Sequence, residues 1–211
     1  AMVRFLSDYV SNGHRECPWR EQDQSKPLNV YGEIKAAGDQ AVIKTLNACH
    51  ILRMSWVYAA HGRNFLLTML GLGKKRKELW VVNDQLCAAA LVTFLADTLT
   101  KILGQADRGV RTLFSRNGGI VYATGSGKKN WHGIAEANFI SAQQNNYSLK
   151  IKNLIAIGLD EYPLPTERPR NFQLSLTALQ ESFGVQTPHW AHSLEVELDK
   201  LKHLNGGSVA S

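Results

Sequence analysis

A tyrosine and a lysine, Tyr31 and Lys35, lie four residues apart in the stretch NVYGEIKAAGDQ, residues 29–40. Apolar residues recur there at helical spacing, and a helix places positions i and i+4 on one face. An ammonium group beside a phenol stabilises the phenolate and so makes the phenol a better proton donor. The pair is therefore a candidate for proton transfer. The alternative is an aromatic residue at the edge of the core, followed one turn later by a solvated lysine.

The elements that must position this pair alternate along the chain. Apolar patterns predict strands at VRFLS, HILRMSWVY, ELWVVND and GIVYATG, and helices at LNVYGEIKAAGDQAVIKTL, NFLLTMLGLG, AALVTFLADTLTKILG, NWHGIAEANFISAQQ, SLTALQESFG and HWAHSLEVELDKLKHL. Alternation of this kind is typical of parallel strands joined by right-handed crossovers. We expect an α/β fold, with the later helices and proline-rich loops forming a smaller lobe.

Composition sets the class of protein. The chain has 211 residues, 44% of them hydrophobic and 20% charged, which suits a globular protein with one large domain or two small ones. It contains no apolar run of membrane-spanning length and no signal-peptide pattern. Cys17, Cys49 and Cys87 show no CxxC or zinc spacing and are expected to be reduced thiols. These features predict a cytoplasmic protein without a membrane partner.

The formal net charge of +6 is compatible with nucleic-acid binding or with an anionic small substrate. The dense basic run KKRK, residues 74–77, falls at the predicted end of a helix, where cations complement the helix dipole. No stacking-aromatic or groove-reading motif accompanies the charge, so no nucleic-acid partner is expected.

The stretch YATGSGKKN, residues 122–130, superficially resembles a phosphate-binding loop. A P-loop requires glycine, four residues, Gly-Lys and then Ser or Thr. Here the first position is Tyr122 and the last is Lys129, so a glycine-rich loop leading into the next helix is the better interpretation.

Several blocks in order resemble the dTDP-4-dehydrorhamnose reductase family, which consists of extended short-chain dehydrogenases/reductases. They are SDYVSNG, PLNVYGEIKAAGDQA, ILRMSWVYAAHGRNFLLTML, VVNDQ, YPLPTERPRNFQLS and FGVQTPHW. The resemblance extends from Leu6 to about Leu201. It implies NAD(P)H-dependent reduction of the 4-keto group of dTDP-4-dehydro-L-rhamnose, a step of nucleotide-sugar metabolism that supplies surface polysaccharides. Its cofactor would be NADPH or NADH and its other partner a dTDP-sugar.

The resemblance also implies a Rossmann-type parallel sheet that is truncated at its N-terminus. SDYV matches the end of a mid-sheet strand in the family, and no glycine-rich strand-to-helix turn opens this chain. We expect residues 1–105 to be a partial cofactor and catalytic domain, interleaved with the substrate lobe, and residues 106–211 to be mainly that lobe. The missing N-terminal half would be a partner, a homodimer is an option, and the chain alone should be inactive.

By resemblance, the catalytic residues are Ser7, Tyr31 and Lys35. Tyr31 would donate the proton and Ser7 would donate a hydrogen bond to the substrate carbonyl. Lys35 would stabilise the phenolate and bind the ribose of the cofactor, which Tyr31 and Ser55 would also contact. General-acid help of this kind typically contributes about 10²- to 10⁴-fold.

The resemblance assigns Ser7, Tyr9, Trp56, Asn64 and Arg168 to the substrate. Trp56 and Tyr9 have a core position as their alternative, and Asn64 has the ordinary role of capping the following helix. Arg168 could meet a phosphate, because guanidinium matches its geometry, or form a surface ion pair with a nearby glutamate.

Departures from the family pattern leave alternatives open. Met54 replaces a hydroxyl residue, and LCAAA at residues 86–90 replaces a segment with turn-forming Gly and Pro. A non-catalytic regulatory subunit, like the β-subunit of methionine adenosyltransferase, is the alternative function. The family resemblance makes Mg²⁺ a further option, but no carboxylate cluster in the sequence could be assigned as its site.

Overall fold

The computed structural model describes residues 1–162 and 165–206. Its strands are β1 (Met2–Ser7), β2 (Cys49–Met54), β3 (Val57–Tyr58), β4 (Glu78–Val82), β5 (Leu86–Cys87), β6 (Ala90–Leu91), β7 (Gly119–Tyr122), β8 (Lys129–Asn130) and β9 (Asn153–Ile157). Its α-helices are α1 (Val30–Thr45), α2 (Phe65–Lys75), α3 (Val92–Leu103), α4 (Val110–Asn117), α5 (Trp131–Gln144), α6 (Thr177–Phe183) and α7 (Trp190–Gly206). A 3₁₀ turn covers Leu159–Glu161.

The main sheet consists of three parallel strands in the order β1-β2-β7. β1 and β2 pair in register from Met2 opposite Cys49 to Ser7 opposite Met54. Because both strands run in the same direction, their carboxyl ends finish side by side at Ser7 and Met54. α1 makes the crossover between them. The α/β prediction with a parallel sheet is confirmed, and ligands of open parallel sheets bind at these carboxyl ends.

Three smaller strand pairs accompany the main sheet. β4 pairs with β9 and β3 with β6, both parallel, while β5 and β8 are antiparallel. β4 packs with α2 and α5 around a small apolar cluster that contains Met69, Leu79, Val81 and Phe139. This unit lies beside the main sheet and supplies the second wall of the site described below.

Asparagine side chains begin three of the helices. Asn29, Asn64 and Asn130 each accept a hydrogen bond from the backbone N–H three residues later, at 2.9, 3.1 and 2.7 Å. Each bond satisfies a donor that lacks an intrahelical partner. The starts of α1, α2 and α5 are therefore set by local sequence.

The large core lies between the main sheet and the later helices. Leu52 and Val121 of the sheet belong to one buried cluster with Phe94 of α3 and Leu198 of α7. An internal ion pair also ties the sheet to α1: Arg53 Nη2 lies 2.7 Å from Asp39 Oδ2, and both side chains are almost completely buried.

Several element predictions need correction. HILRMSWVY is two strands, because the chain bends at Trp56, whose φ is +44°. NFLLTMLGLG does not end at its glycine: α2 continues through Gly73 to Lys75. Of the basic run at the predicted helix end, Lys74 and Lys75 occupy the last turn, and Arg76 follows as the C-cap. The residues that precede α3 form β6, and neither α4 nor β9 was predicted from the sequence.

The predicted division at residue 105 stays a prediction. β7 lies beyond it and pairs with β2, so the second segment contributes to the main sheet. Residues 163–164 and 207–211 of that segment lie outside the described residues. Within the part of the chain that the structure describes, no helix combines the length and apolarity needed to span a membrane.

Candidate active site

Ser7 is the last residue of β1 and lies at the carboxyl edge of the main sheet. Its hydroxyl oxygen accepts a hydrogen bond from the Tyr9 N–H at 3.3 Å, and its O–H donates to Asp8 Oδ1 at 3.2 Å. The side chain is half-buried. Ser7 is thus held by its own loop and faces the space above the strand ends.

Tyr31 and Lys35 reach the same space from the first two turns of α1. Lys35 Nζ lies 5.2 Å from the centroid of the Tyr31 ring, so the expected neighbour relation on one helix face is present. The Tyr31 ring is 51% exposed and meets the Tyr9 ring edge-on, with centroids 5.5 Å apart. A half-exposed ring packed against Tyr9 is compatible with both interpretations of the pair, so the proton-transfer role of Tyr31 stays a prediction.

A cleft of about 390 Å³ joins these side chains. Its walls include Ser7, Asp8, Tyr9, Tyr31, Lys35, Met54, Trp56 and Trp131. The structure therefore brings together five of the residues that the sequence analysis assigned to chemistry or substrate binding. They come from β1, α1 and the bend after β2, which are far apart along the chain.

A buried carboxyl group lies on the floor of this cleft. Asp8 is 4% exposed, and burial raises its pKa to about 7, partly opposed by hydrogen bonds from Ser55 and Ser7. The Ser55 O–H donates to Asp8 Oδ2 at 2.5 Å. Ser55 itself is buried and committed to Asp8, so its predicted contact with a cofactor stays a prediction.

Two tryptophans form one wall. The rings of Trp56 and Trp131 stack at an interplanar angle of 9°, with centroids 3.3 Å apart. Trp131 is the first residue of α5, and its Nε1–H donates to Gln85 Oε1 at 3.2 Å. Because Trp131 lines this cleft and also a second one, the stacked pair stands at the boundary between two cavities.

The second cleft has a volume of about 340 Å³ and lies against β4 and α2. It is lined by aromatic and apolar side chains together with Gln85 and Arg168. Arg168 makes no ion pair within residues 1–162 and 165–206, so the predicted alternative of a surface pair with a glutamate is not found there. Burial raises the pKa of Tyr9, and the charge of Arg168 partly opposes that rise, but Arg168 is not among the residues that line the first cleft.

Asn64 caps the helix that follows it, which was the alternative to a role in substrate binding. Its side chain caps α2, and its amide donates to the carbonyl oxygens of Ala59 and His61 at 2.8 and 3.1 Å. Asn64 is not among the residues that line either cleft. Its assignment to the substrate stays a prediction, whereas its capping role is observed.

Asp8 and Trp131 were missed as site residues. Asp8 adjoins Ser7 in LSDYV, and an acidic residue at the end of an apolar strand was the available signal. Trp131 follows the glycine-rich loop 122–130, where Gly127 has a φ of +84°, and a tryptophan at a helix start was the only hint. Neither signal indicates which cavity the side chain enters.

The open side of the first cleft presents two polar side chains of α1. Tyr31 is half-exposed, and Lys35 presents its ammonium at the carboxyl edge of a parallel sheet, without a salt bridge in the described residues. A ribose hydroxyl can accept from such an ammonium. In the same residues no group of three or more His, Cys, Asp or Glu side chains is arranged to hold a metal ion.

Comparison with known proteins gives a consistent set of relatives. The family model described as "RmlD substrate binding domain" matches residues 1–203. The dTDP-4-dehydrorhamnose reductase of Burkholderia thailandensis is 36% identical over 194 residues, which make up 91% of this chain and 65% of that protein. The chain therefore spans slightly less than two thirds of the length of this curated relative.

Solved structures agree with the sequence comparison. The dTDP-4-dehydrorhamnose reductase of Bacillus anthracis, solved in complex with NADP, superposes with a TM-score of 0.82 at 28% identity, covering 94% of this chain and 65% of that one. An orthologue of the reductase from Clostridium acetobutylicum gives a TM-score of 0.84 at 28% identity, with 95% and 65% coverage. Both support the Rossmann-type assignment of the sheet.

Proposed function

Because this chain belongs to the RmlD substrate binding domain family, we propose that it carries the catalytic site of an NAD(P)H-dependent reductase that converts dTDP-4-dehydro-L-rhamnose into dTDP-L-rhamnose. One observation carries the proposal: Ser7, Tyr31 and Lys35 line a single open cleft at the carboxyl ends of parallel strands. The names of the relatives favour a reductase over a non-catalytic subunit.

Ser7, Tyr31 and Lys35 each have a separate role in the reduction of the 4-keto group. The Ser7 hydroxyl donates a hydrogen bond to the carbonyl oxygen and polarises it. The Tyr31 hydroxyl delivers its proton to that oxygen as the carbonyl carbon becomes tetrahedral. The Lys35 ammonium, 5.2 Å from the Tyr31 ring centroid, stabilises the phenolate that remains. The proton and a hydride together turn C=O into CH–OH.

A reduced nicotinamide, when bound, supplies the hydride. Tyr31 and Lys35 are the residues of this chain that would hold its ribose at the open side of the cleft. The complex of the Bacillus anthracis relative with NADP supports this cofactor class.

The two clefts, which share Trp131 as a lining residue, suit a two-part substrate. The sugar would occupy the first cleft against Trp56, next to Ser7. The nucleotide diphosphate would extend past Trp131 into the second cleft, whose aromatic walls suit a base and whose Arg168 suits a phosphate. The proposal places the reaction in the cytoplasm, in keeping with the three free cysteines.

The test measures oxidation of the cofactor by the complete protein, which is monitored through the absorbance of the reduced nicotinamide. Addition of dTDP-4-dehydro-L-rhamnose should start oxidation of NADPH or NADH, while the corresponding sugar already reduced at C4 should not. Tyr31→Phe should still bind the cofactor through Lys35 and should lower kcat by about 10²-fold or more, because the ring stays while the proton-donating hydroxyl is removed.

Tyr147→Phe is the matched control, because Tyr147 lines neither cleft and should keep full activity. A well-folded wild-type protein that leaves the cofactor reduced in the presence of this substrate would rule the proposal out. A fall in kcat of less than about tenfold in Tyr31→Phe would remove Tyr31 from the role of main general acid.

A further inference from the structure

Asp8 connects the ends of two neighbouring strands. Ser7, which donates to its Oδ1, ends β1, and Ser55, which donates to its Oδ2, follows β2. The carboxyl group thus has a hydroxyl group on each oxygen and is almost completely shielded from water. Within residues 1–162 and 165–206 no Lys, Arg or His forms an ion pair with it.

Apart from the Lys35 ammonium, which lines the same cleft but forms no ion pair with Asp8 in the described residues, the groups around this carboxyl do not compensate a negative charge. Cys87 of β5 and Tyr9 of the adjoining loop both have pKa values raised mainly by burial, and the Asp8 charge raises them further. Tyr31 and Lys35 of α1 line the same cleft. With its own pKa raised to about 7 by burial, the Asp8 carboxyl is present in both protonation states near neutral pH.

The Ser7 hydroxyl has one proton to donate and two lone pairs. An ionised Asp8 can only accept hydrogen bonds, so the Ser7 O–H donates to it and its proton points towards Asp8 Oδ1. A neutral Asp8 can donate its own proton to Ser7 Oγ and still accept from Ser55. Ser7 Oγ would then accept from Asp8 and from the Tyr9 N–H, and its proton would be left for a third partner in the cleft.

We propose that Asp8 is a positioning residue that directs the Ser7 hydroxyl: the neutral carboxyl turns the Ser7 proton towards the substrate carbonyl, and the carboxylate turns it away. The inference rests on the proposed reduction of a 4-keto sugar. It assigns to this aspartate the role of setting the fraction of molecules in which Ser7 can polarise the substrate.

Replacement of Asp8 by asparagine and by alanine separates this role from a structural one. The amide of Asp8→Asn can donate to Ser7 and accept from Ser55, which fixes the pattern of the neutral acid. In the complete protein we expect Asp8→Asn to match the wild-type kcat at acidic pH. As the pH rises, the kcat of the wild type should fall when Asp8 ionises, whereas the kcat of Asp8→Asn should stay constant. Asp8→Ala leaves Ser7 undirected and should lower kcat roughly tenfold at every pH.

Asp107→Asn is the control for the removed charge, because Asp107 is exposed and does not line the cleft; its pH profile should equal that of the wild type. The proposal is overturned if Asp8→Asn is as impaired as Asp8→Ala, or if it keeps the wild-type decline at alkaline pH.

A second measurement does not depend on turnover. The carboxyl carbon of Asp8 can be titrated by ¹³C NMR in the wild type and in Ser7→Ala. Loss of the Ser7 donor should raise the pKa of Asp8, because the hydroxyl favours the ionised form. An unchanged titration would contradict the proposed coupling. If the wild type reduces no 4-keto nucleotide-sugar, the proposed function fails, and the titration alone still decides whether Asp8 and Ser7 are coupled.

Discussion

Gly32 packs directly against the backbone carbonyl of Tyr9, so that a Cβ on Gly32 would overlap that oxygen. Gly32 follows Tyr31 in α1, and Tyr9 follows Asp8 and Ser7 at the end of β1. The close approach of the helix to this loop therefore sets the distance between the two groups that we assign to the substrate carbonyl.

Gly32→Ala is expected to destabilise the chain and to impair the site. Alanine in a helix gains up to about 1 kcal/mol over glycine, but an overlap with rigid backbone typically costs about 1–3 kcal/mol. We expect a net loss of stability in urea unfolding, together with a lower kcat, since α1 must move away from Ser7.

Gly38→Ala provides the matched control in the same helix. Its Cβ would meet the guanidinium end of Arg4, which can move aside. This variant should be about as stable as the wild type, because the gain in helix propensity offsets a weakened hydrogen bond from Arg4 Nη1 to the Gly38 carbonyl oxygen, which is 3.1 Å long in the structure. Equal losses in the two variants would show that the contact with Tyr9 is not the cause.

The buried pair of Arg53 and Asp39 should respond strongly to loss of its carboxylate. Asp39 Oδ2 accepts from Arg53 Nε and Nη2 at 3.0 and 2.7 Å. Asp39→Asn leaves the guanidinium buried without a counter-charge, and removal of one partner from such a pair typically costs about 3–5 kcal/mol. Urea unfolding measures the loss.

Asp160→Asn is the comparison for that experiment. Asp160 pairs with Arg170 at 2.8 Å, but its side chain is 84% exposed. Exposed pairs contribute little, so this variant should unfold close to the wild type. A similar loss of stability in Asp39→Asn and Asp160→Asn would be incompatible with our account of the buried pair.

His50 should make stability fall at acidic pH. It is completely buried on β2, stacked on Phe114, and both ring nitrogens lack a partner within the described residues. Burial lowers its pKa from 6.5 to about 4. The unfolded chain therefore binds a proton that the folded chain does not, and the free energy of unfolding should fall by up to about 3 kcal/mol as pH falls through this window.

His50→Leu should remove this part of the pH dependence and leave stability at neutral pH unchanged or higher, because no hydrogen bond is lost. Chemical denaturation between pH 7 and about pH 4 tests both statements. His203→Gln, at an exposed position of α7, should retain the wild-type pH dependence. If His50→Leu loses stability on acidification as steeply as the wild type, the acid sensitivity comes from other groups.

Trp131 should determine binding of the nucleotide part of the substrate. It stacks on Trp56 and borders both clefts. Trp131→Ala should weaken binding of dTDP to the complete protein by about tenfold, the order expected for one lost aromatic contact. Trp131→Phe should lose less. Unchanged binding of dTDP by calorimetry in Trp131→Ala would place the nucleotide elsewhere.

The sequence determined the features that depend on near neighbours. The main strands and most helices followed from apolar periodicity, although α4 and β9 were not predicted, and the cap of α2 by Asn64 was expected from the sequence. The Tyr31–Lys35 relation followed from helical spacing. The errors fell where tertiary packing overrides local preference. α2 passes through Gly73, which packs against Phe139, and one predicted strand breaks at Trp56.

The tertiary structure decided which distant side chains meet. Asp8 contacts Ser55 across 47 positions because β1 and β2 align in parallel register, with Ser7 opposite Met54. Trp131 reaches Trp56 because α5 packs beside the main sheet. Local periodicity specifies the face of an element on which a residue lies, but it carries no information about the element that will cover that face. Register and crossover packing supply that information, so the buried carboxyl and the second cleft emerged only from the fold.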